Sequence, residues 1–148
     1  MAFIYEFEYT VHSVIENLDD NGIIEGEPEV TLVTVDGFMK SDGEHIFISY
    51  AEMSEGGKIL TDMTISEDGV KLTRRGAVMF DATFREGERV TTVYSIPPYS
   101  FDATLTTRKI RSELTKEGGV LRLHYGMNIG GQEKAVRMKI TARPKVRK

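Results

Sequence analysis

The chain has 148 residues, the length of one ordinary domain, and a formal net charge of −4. It contains no cysteine, which excludes disulfides, cysteine metal sites and a cysteine nucleophile. No apolar run reaches the roughly 18 residues that a membrane helix needs, and the N-terminal residues lack the basic segment of a signal peptide. These features predict a soluble, cytoplasmic protein without a membrane partner.

Charge is distributed unevenly along the chain. No lysine or arginine precedes Lys40, whereas the last twelve residues are basic and contain no acid. Either the two ends are neighbours in the folded sheet, or the C-terminal segment is a tail that binds nucleic acid. We favour the first interpretation, because an acidic chain repels phosphate polymers and the segment lacks interleaved aromatic residues. The predicted organisation is one domain over residues 1–142 and a basic tail over 143–148.

Apolar and polar residues alternate along most of the chain, which is typical of strands with one buried face. The alternating runs begin at Phe3, Ile46, Ile59, Val70, Val90, Phe101, Leu121 and Val136. From Val70 to Phe84, the inward-facing positions form one long alternating row. The stretch 30–35 is less regular, which indicates a bulge.

Turn signals separate these runs at intervals of roughly 10–13 residues, as in a series of hairpins. They are Asn21-Gly22, Asp36-Gly37, Asp42-Gly43, Gly56-Gly57, Asp68-Gly69, Pro97-Pro98, Gly118-Gly119 and Gly130-Gly131. No segment keeps a helical period over three turns, so at most one short helix is expected, within 108–117 or 14–21.

About eight to ten one-sided strands must bury a common apolar face. The fold class predicted is therefore all-β, an antiparallel up-and-down closed barrel, with a two-sheet sandwich as the alternative. Barrels of about eight strands are either filled by side chains or hold one small ligand.

Motifs for phosphate loops, dinucleotide binding, nucleophile elbows and zinc helices are missing. The three histidines, His12, His45 and His124, lie on polar faces at spacings that do not suggest a shared metal. No catalytic residue, metal or cofactor is predicted.

Arg74 is the most informative exception to the alternation, because it falls in phase with Val70, Leu72 and Phe80 on the apolar face. A guanidinium group there is costly unless it is paired. Either Arg74 points into the barrel and binds a ligand carboxylate or phosphate, or it lies near the rim or pairs with an internal carboxylate such as Glu52.

Tyrosines form a second exception, since several fall on inward-facing positions where the hydroxyl needs a partner or must lie at the edge of the core. They are Tyr5, Tyr9, Tyr50, Tyr94 and Tyr125. Together with Arg74 they suggest a mixed apolar and polar cavity. The candidate ligand-binding residues are Arg74, Tyr50, Glu52, Tyr94, Thr107 and Tyr125.

The order of several short motifs resembles the YwiB-like family of small bacterial proteins over roughly residues 7–141. The motifs include Val11-His12-Ser13-Val14-Ile15, Ile48-Ser49-Tyr50-Ala51-Glu52, Arg74-Arg75-Gly76-Ala77-Val78, Thr106-Thr107-Arg108-Lys109-Ile110 and Leu123-His124-Tyr125-Gly126-Met127. The resemblance implies a calycin (lipocalin)-like barrel and a bacterial, cytoplasmic origin. The family is a domain of unknown function, so it transfers no site residue. Pro98-Tyr99 departs from the glycine turn expected there, and the chain lacks the tryptophan usual in lipocalins.

Three functions follow from these observations. The first is non-enzymatic binding of a small anionic or amphipathic ligand inside the barrel. The alternative is a protein–protein interaction module that uses the barrel exterior or the charged ends, and a homodimer is left open. An enzyme is the least favoured, since it would need Glu52, Arg74 and Tyr50 to converge in a cleft without a recognisable nucleophile.

Overall fold

Ten strands make up the protein, in a computed structural model that describes residues 3–145. They are β1 (Phe3–Leu18), β2 (Ile24–Ser41), β3 (Ile46–Ser54), β4 (Gly57–Ser66), β5 (Gly69–Gly76), β6 (Met79–Phe84), β7 (Arg89–Ile96), β8 (Tyr99–Ser112), β9 (Gly119–Ile129) and β10 (Gln132–Pro144). Residues 3–145 contain no helix, and the two segments where a short one was expected belong to strands and turns.

Each strand pairs antiparallel with its sequence neighbours, and β1 closes the barrel by pairing with β10. The prediction of an up-and-down closed antiparallel barrel is confirmed. The sequence predicts one continuous row from Val70 to Phe84, and this prediction is wrong. The segment forms two strands, β5 and β6, which a tight turn joins. Arg74 lies opposite Phe80 and Leu72 opposite Ala82, so both strands still present these positions to the same face.

Two local features differ from the sequence predictions. Asp36-Gly37 lies inside β2, and is not a turn. A Cβ atom on Gly37 would collide with the carbonyl oxygen of Ser49 and meet the ring of Tyr9, so glycine is required there for close packing. The bulge predicted within 30–35 is wrong, because that stretch pairs regularly with β1. The irregularity of β2 lies between Glu25 and Glu29, opposite the register shift between Ile15 and Asn17 of β1.

The two ends of the barrel differ in how well they are covered. At one end, called here the closed end, Ile65, Val70 and Phe84 are buried, and Leu114 of the β8–β9 connection packs against the core. At the opposite end, called the open end, the inward-facing apolar residues are only partly buried. They are Ile15, Val33, Val35, Val78, Tyr94 and Ile129. More of the partly buried core residues therefore lie at the open end than at the closed end, where Ile46 and Ile110 are also partly buried.

The β2 strand is only partly built into the wall. Its residues 24–36 pair with β1, whereas pairing with β3 begins at Gly37. Glu25, Glu27, Pro28 and Glu29 lie on this unpaired stretch and are exposed. We call residues 24–36 the bare edge, because one side of their backbone has no strand partner among residues 3–145.

The acidic and basic ends of the chain are neighbours. Strands β1 and β10 lie side by side, and Arg137 of β10 forms an ion pair with Glu16 of β1. The Lys145 ammonium lies 2.9 Å from a carboxylate oxygen of Asp36. The first interpretation of the charge asymmetry is thus confirmed for these pairs, while residues 146–148 of the predicted tail lie outside the described residues.

Candidate functional site

A row of side chains crosses five neighbouring strands inside the barrel. The register places Tyr50 of β3 opposite Thr61 of β4, and Thr61 opposite Arg74 of β5. The row continues through Phe80 of β6 to Tyr94 of β7. Because residues paired across strands share a face, the barrel brings one cation and several hydroxyl groups into the core.

Arg74 forms an ion pair with Glu52, in which Nη2 lies 3.6 Å from Oε1. The two side chains are 25% and 17% exposed. This confirms the alternative in which Arg74 pairs with Glu52. The distance exceeds that of a direct hydrogen bond, so the guanidinium group is neutralised by Glu52 but not saturated by it.

Among residues 3–145, three buried polar atoms of the row find no hydrogen-bond partner: the Tyr50 hydroxyl, the Thr61 Oγ1 and the Arg74 Nε. Burial raises the pKa of Tyr50, and the positive charge of Arg74 opposes that rise. Thr61 and Arg74 are near enough to affect the pKa of the Tyr50 hydroxyl, yet neither meets the geometry of a hydrogen bond to it. We call Tyr50, Thr61 and Arg74 the donor triad, since each unpaired group carries a hydrogen to donate.

Tyr125 is near enough to Arg74 for the guanidinium charge to act on it, and Tyr94 in turn acts on Tyr125. Burial raises the pKa of Tyr125 to about 12, while the charge of Arg74 lowers it and Tyr94 adds to the rise. The Tyr125 ring packs against Phe84 with centroids 4.6 Å apart, and Tyr94 meets Phe80 edge-on at 5.4 Å. Arg74 therefore lies among tyrosines from several walls of the barrel.

The other inward-facing positions predicted from the sequence differ in burial and in their partners. Thr107 is buried and faces Tyr125 across the β8–β9 pairing, next to a register shift. Tyr5 was predicted to face inward, but it is 42% exposed near the closed end. Tyr9 is buried and donates a hydrogen bond to the carbonyl oxygen of Phe38 at 2.8 Å, so it is already satisfied.

Thr61 is the residue that sequence reasoning missed. Its place in the alternating run of β4 showed that it faces inward, but a threonine is common in strands and gave no chemical signal. Only the pairing register reveals that its hydroxyl stands between Tyr50 and Arg74.

The cavities of the molecule described here open on the outer wall or at the closed end, and none is lined by Arg74. One of about 530 Å³ lies on the outer wall and is lined by His12 and His124. Their strands, β1 and β9, are separated by β10. Among residues 3–145, no group of histidine and carboxylate side chains is arranged to hold a metal ion. No helix in that range is long and apolar enough to cross a membrane.

Residues 18–141 match the model of a family described as a domain of unknown function, DUF1934. The chain belongs to this family. Another protein of similar sequence is the uncharacterised β-barrel protein YwiB of Bacillus subtilis (strain 168). It is 30% identical over 123 residues, which cover 83% of this chain and 82% of the relative.

The crystal structure of the ywiB protein from Bacillus subtilis has a similar fold, with a TM-score of 0.82 and 28% sequence identity. The match covers 97% of this chain and 94% of that one. The resemblance to YwiB-like proteins is thereby confirmed. The chain is a β-barrel of a family whose function is unknown.

Proposed function

We propose that this DUF1934 barrel binds a small amphipathic molecule with a single anionic head group, which enters through the open end and reaches the donor triad. The observation that carries the proposal is the set of three buried, unpaired donors on adjacent strands β3, β4 and β5. Each such buried group costs about 1–3 kcal/mol when it lacks a partner, so three of them together are an unusual burden on a folded core.

The chemistry of the three atoms favours an acceptor. An arginine Nε–H and two hydroxyl groups all donate hydrogen bonds, so a carboxylate oxygen satisfies them better than an amine would. Glu52 already offsets the charge of Arg74, which disfavours a head group with several negative charges. A monoanion such as a carboxylate fits both facts.

The apolar part of the ligand has a matching surface at the open end. Val33, Val35, Val78 and Ile129 are inward-facing, only partly buried and packed on the core. A hydrocarbon tail that covered them would remove further apolar surface from water, at about 25 cal/mol per Å². Tyrosine rings near Arg74 occupy the space between the positions of the ligand's head group and its hydrocarbon tail. Binding is therefore coupled to a movement of Tyr94, which is half-buried at the open end.

The test compares ligands that share a tail and differ in the head group. Thermal unfolding and calorimetry are run with decanoate, decanol and decyltrimethylammonium on the wild-type chain, Arg74→Met and Tyr50→Phe. Arg75→Met is the matched control, because Arg75 is the exposed neighbour on the same strand. We expect decanoate alone to raise the Tm of the wild type and of the control. We expect its affinity to fall at least about tenfold in Arg74→Met, since one charge-assisted hydrogen bond contributes about 1.5–3 kcal/mol.

Tyr50→Phe separates the donor role from packing. Removing a hydroxyl that has no partner leaves the folded core intact or slightly more stable, whereas decanoate binding weakens several-fold if the hydroxyl contacts the head group. Equal binding of decanol and decanoate, no binding of decanoate at all, or full affinity in Arg74→Met would each refute the proposal.

A further inference from the structure

The outer wall of strands β8, β9, β10 and β1 carries a concentrated set of cations. One row across the strands runs Arg111, Arg122, Lys139 and His12 in pairing register. A parallel row, two residues further along each strand, runs Lys109, His124, Arg137 and Val14. We call these two rows the basic face. It lies outside the barrel, with the wall between it and the donor triad.

The basic face works against the stability of the sheet. Neighbouring strands lie about 4.8 Å apart, so Arg111, Arg122 and Lys139 place three like charges directly opposite one another. Two members of the basic face are paired with acids, Arg137 with Glu16 and Arg111 with Glu113. Within residues 3–145, Lys109, Arg122 and Lys139 form no ion pair. In a chain of net charge −4, this arrangement calls for an anionic partner.

A cavity is built into the basic face. It has a volume of about 530 Å³ and is lined by side chains of both rows. A second cavity of about 240 Å³ adjoins it, sharing His12 and Lys139, and includes Leu32 of β2. The register continues the two rows onto β2 at Leu32 and Val30, which are exposed apolar residues. The groove is thus cationic at one end and apolar at the other.

We propose that this groove binds a small organic polyphosphate of the nucleoside triphosphate class. The phosphates lie along Arg111, Arg122 and Lys139, and the organic part lies toward Leu32 and Val30. Arginine forks recognise phosphate oxygens through paired hydrogen bonds, and lysine contributes a further charge. The volume falls within the range of about 300–1,000 Å³ that is usual for small-molecule sites.

A small ligand fits better than a nucleic acid strand. Acidic residues lie next to the basic face, namely Glu16 and Glu113. Beyond β1 lies the bare edge, which carries Glu25, Glu27 and Glu29. A polyanion that extended past the cavity would meet these carboxylates. The negative charge of the ligand must therefore be compact, as it is in a triphosphate.

The experiment measures the affinity for ATP without magnesium by calorimetry at low and moderate salt. The variant Arg122→Gln/Lys139→Gln removes two central cations. The control Lys58→Gln/Lys71→Gln removes the same charge from exposed positions of β4 and β5, on the far side of the barrel. We expect at least a tenfold loss of affinity in the first variant and less than a twofold change in the control. Tripolyphosphate should bind more weakly than ATP, and adenosine should not bind measurably.

Several results would overturn the inference. Equal losses in the two double variants would show non-specific attraction by charge. Tighter binding of a 20-nucleotide single strand, or of vesicles containing phosphatidylglycerol, would assign the basic face to a polymer or a membrane. Absence of ATP binding would exclude the site. Arg74→Met should bind ATP normally, so this result is independent of the function proposed for the barrel interior.

Discussion

The donor triad and the basic face use charged and polar groups in opposite ways. Inside the barrel, one arginine is balanced by Glu52, yet neighbouring donors lack hydrogen-bond partners. On the outer wall, the lysine and arginine side chains of the basic face are exposed to water, but cations are set opposite cations. In a low-dielectric core, an unsatisfied hydrogen-bond donor raises the free energy of the folded state most. On a solvated surface, repulsion between neighbouring like charges does so.

Both regions indicate that a binding site can be recognised by groups that destabilise the protein while no ligand is bound. Unpaired donors in the core indicate a missing acceptor, and repelling cations on the wall indicate a missing anion. Because burial strengthens electrostatic interactions, the interior site needs few groups, while the exposed site needs many to reach a comparable effect.

The largest effect is expected inside the barrel, from Glu52→Gln. The substitution leaves Arg74 without its counter-charge in a mostly buried position, and we expect the free energy of unfolding to fall by about 1–2 kcal/mol. Urea unfolding measures this, with Glu55→Gln in the exposed β3–β4 turn as control. Arg74→Met added to Glu52→Gln should recover most of the loss. If the double variant is no more stable than Glu52→Gln, the ion pair does not account for the effect.

On the outer wall, Arg122→Gln should have a smaller effect of opposite sign. Removing the middle cation of the row relieves repulsion with Arg111 and Lys139, so the free energy of unfolding should rise by about 0.5 kcal/mol at low salt. Screening should abolish this gain near 1 M salt, where charges act over only about 3 Å. The comparison between the two regions fails if Arg122→Gln destabilises the protein equally at both salt concentrations.

The smallest effect concerns His124 in the second row of the basic face. Burial, followed by the charges of Arg108 and Arg137, lowers its pKa from 6.5, and Glu16 opposes this change. Lys109 also faces it from β8. With a lowered pKa the unfolded chain takes up the proton first, so stability falls as the pH drops through about 6.5 toward the folded pKa.

His124→Gln should remove that part of the pH dependence, while His45→Gln in the β2–β3 turn should leave it in place. Urea unfolding between about pH 7.5 and 5.5 provides the measurement. A slope that is unchanged in His124→Gln would show that neither burial nor the neighbouring cations lower the pKa of this histidine.

Alternation and the regular spacing of the turns favoured the closed barrel over a two-sheet sandwich, and alternation placed Arg74 in phase with the apolar face. The pairing with Glu52 was also among the stated alternatives, since both residues lie on inward-facing strand positions. What alternation does not contain is the register between strands. Thr61 therefore remained an ordinary strand residue until its place beside Arg74 was known.

The basic face was hidden for the same reason. His12 and Lys139 are distant in the sequence, and they become neighbours only when β1 closes on β10. Alternation placed Arg137 and Lys139 in a strand, as in β10, but it did not show which cations of other strands lie beside them. The Asp36-Gly37 pair likewise indicated a turn, although Gly37 serves close packing against Tyr9 and Ser49.

The bare edge of β2 gives a reason for the acidic N-terminal third of the chain. An unpaired strand offers its amide and carbonyl groups to any passing strand, and so invites self-association into fibrils. Pro28 lacks the amide hydrogen, and Glu25, Glu27 and Glu29 repel the same segment of another molecule. These four residues oppose pairing between two such edges, next to the exposed apolar groups of Val30 and Leu32.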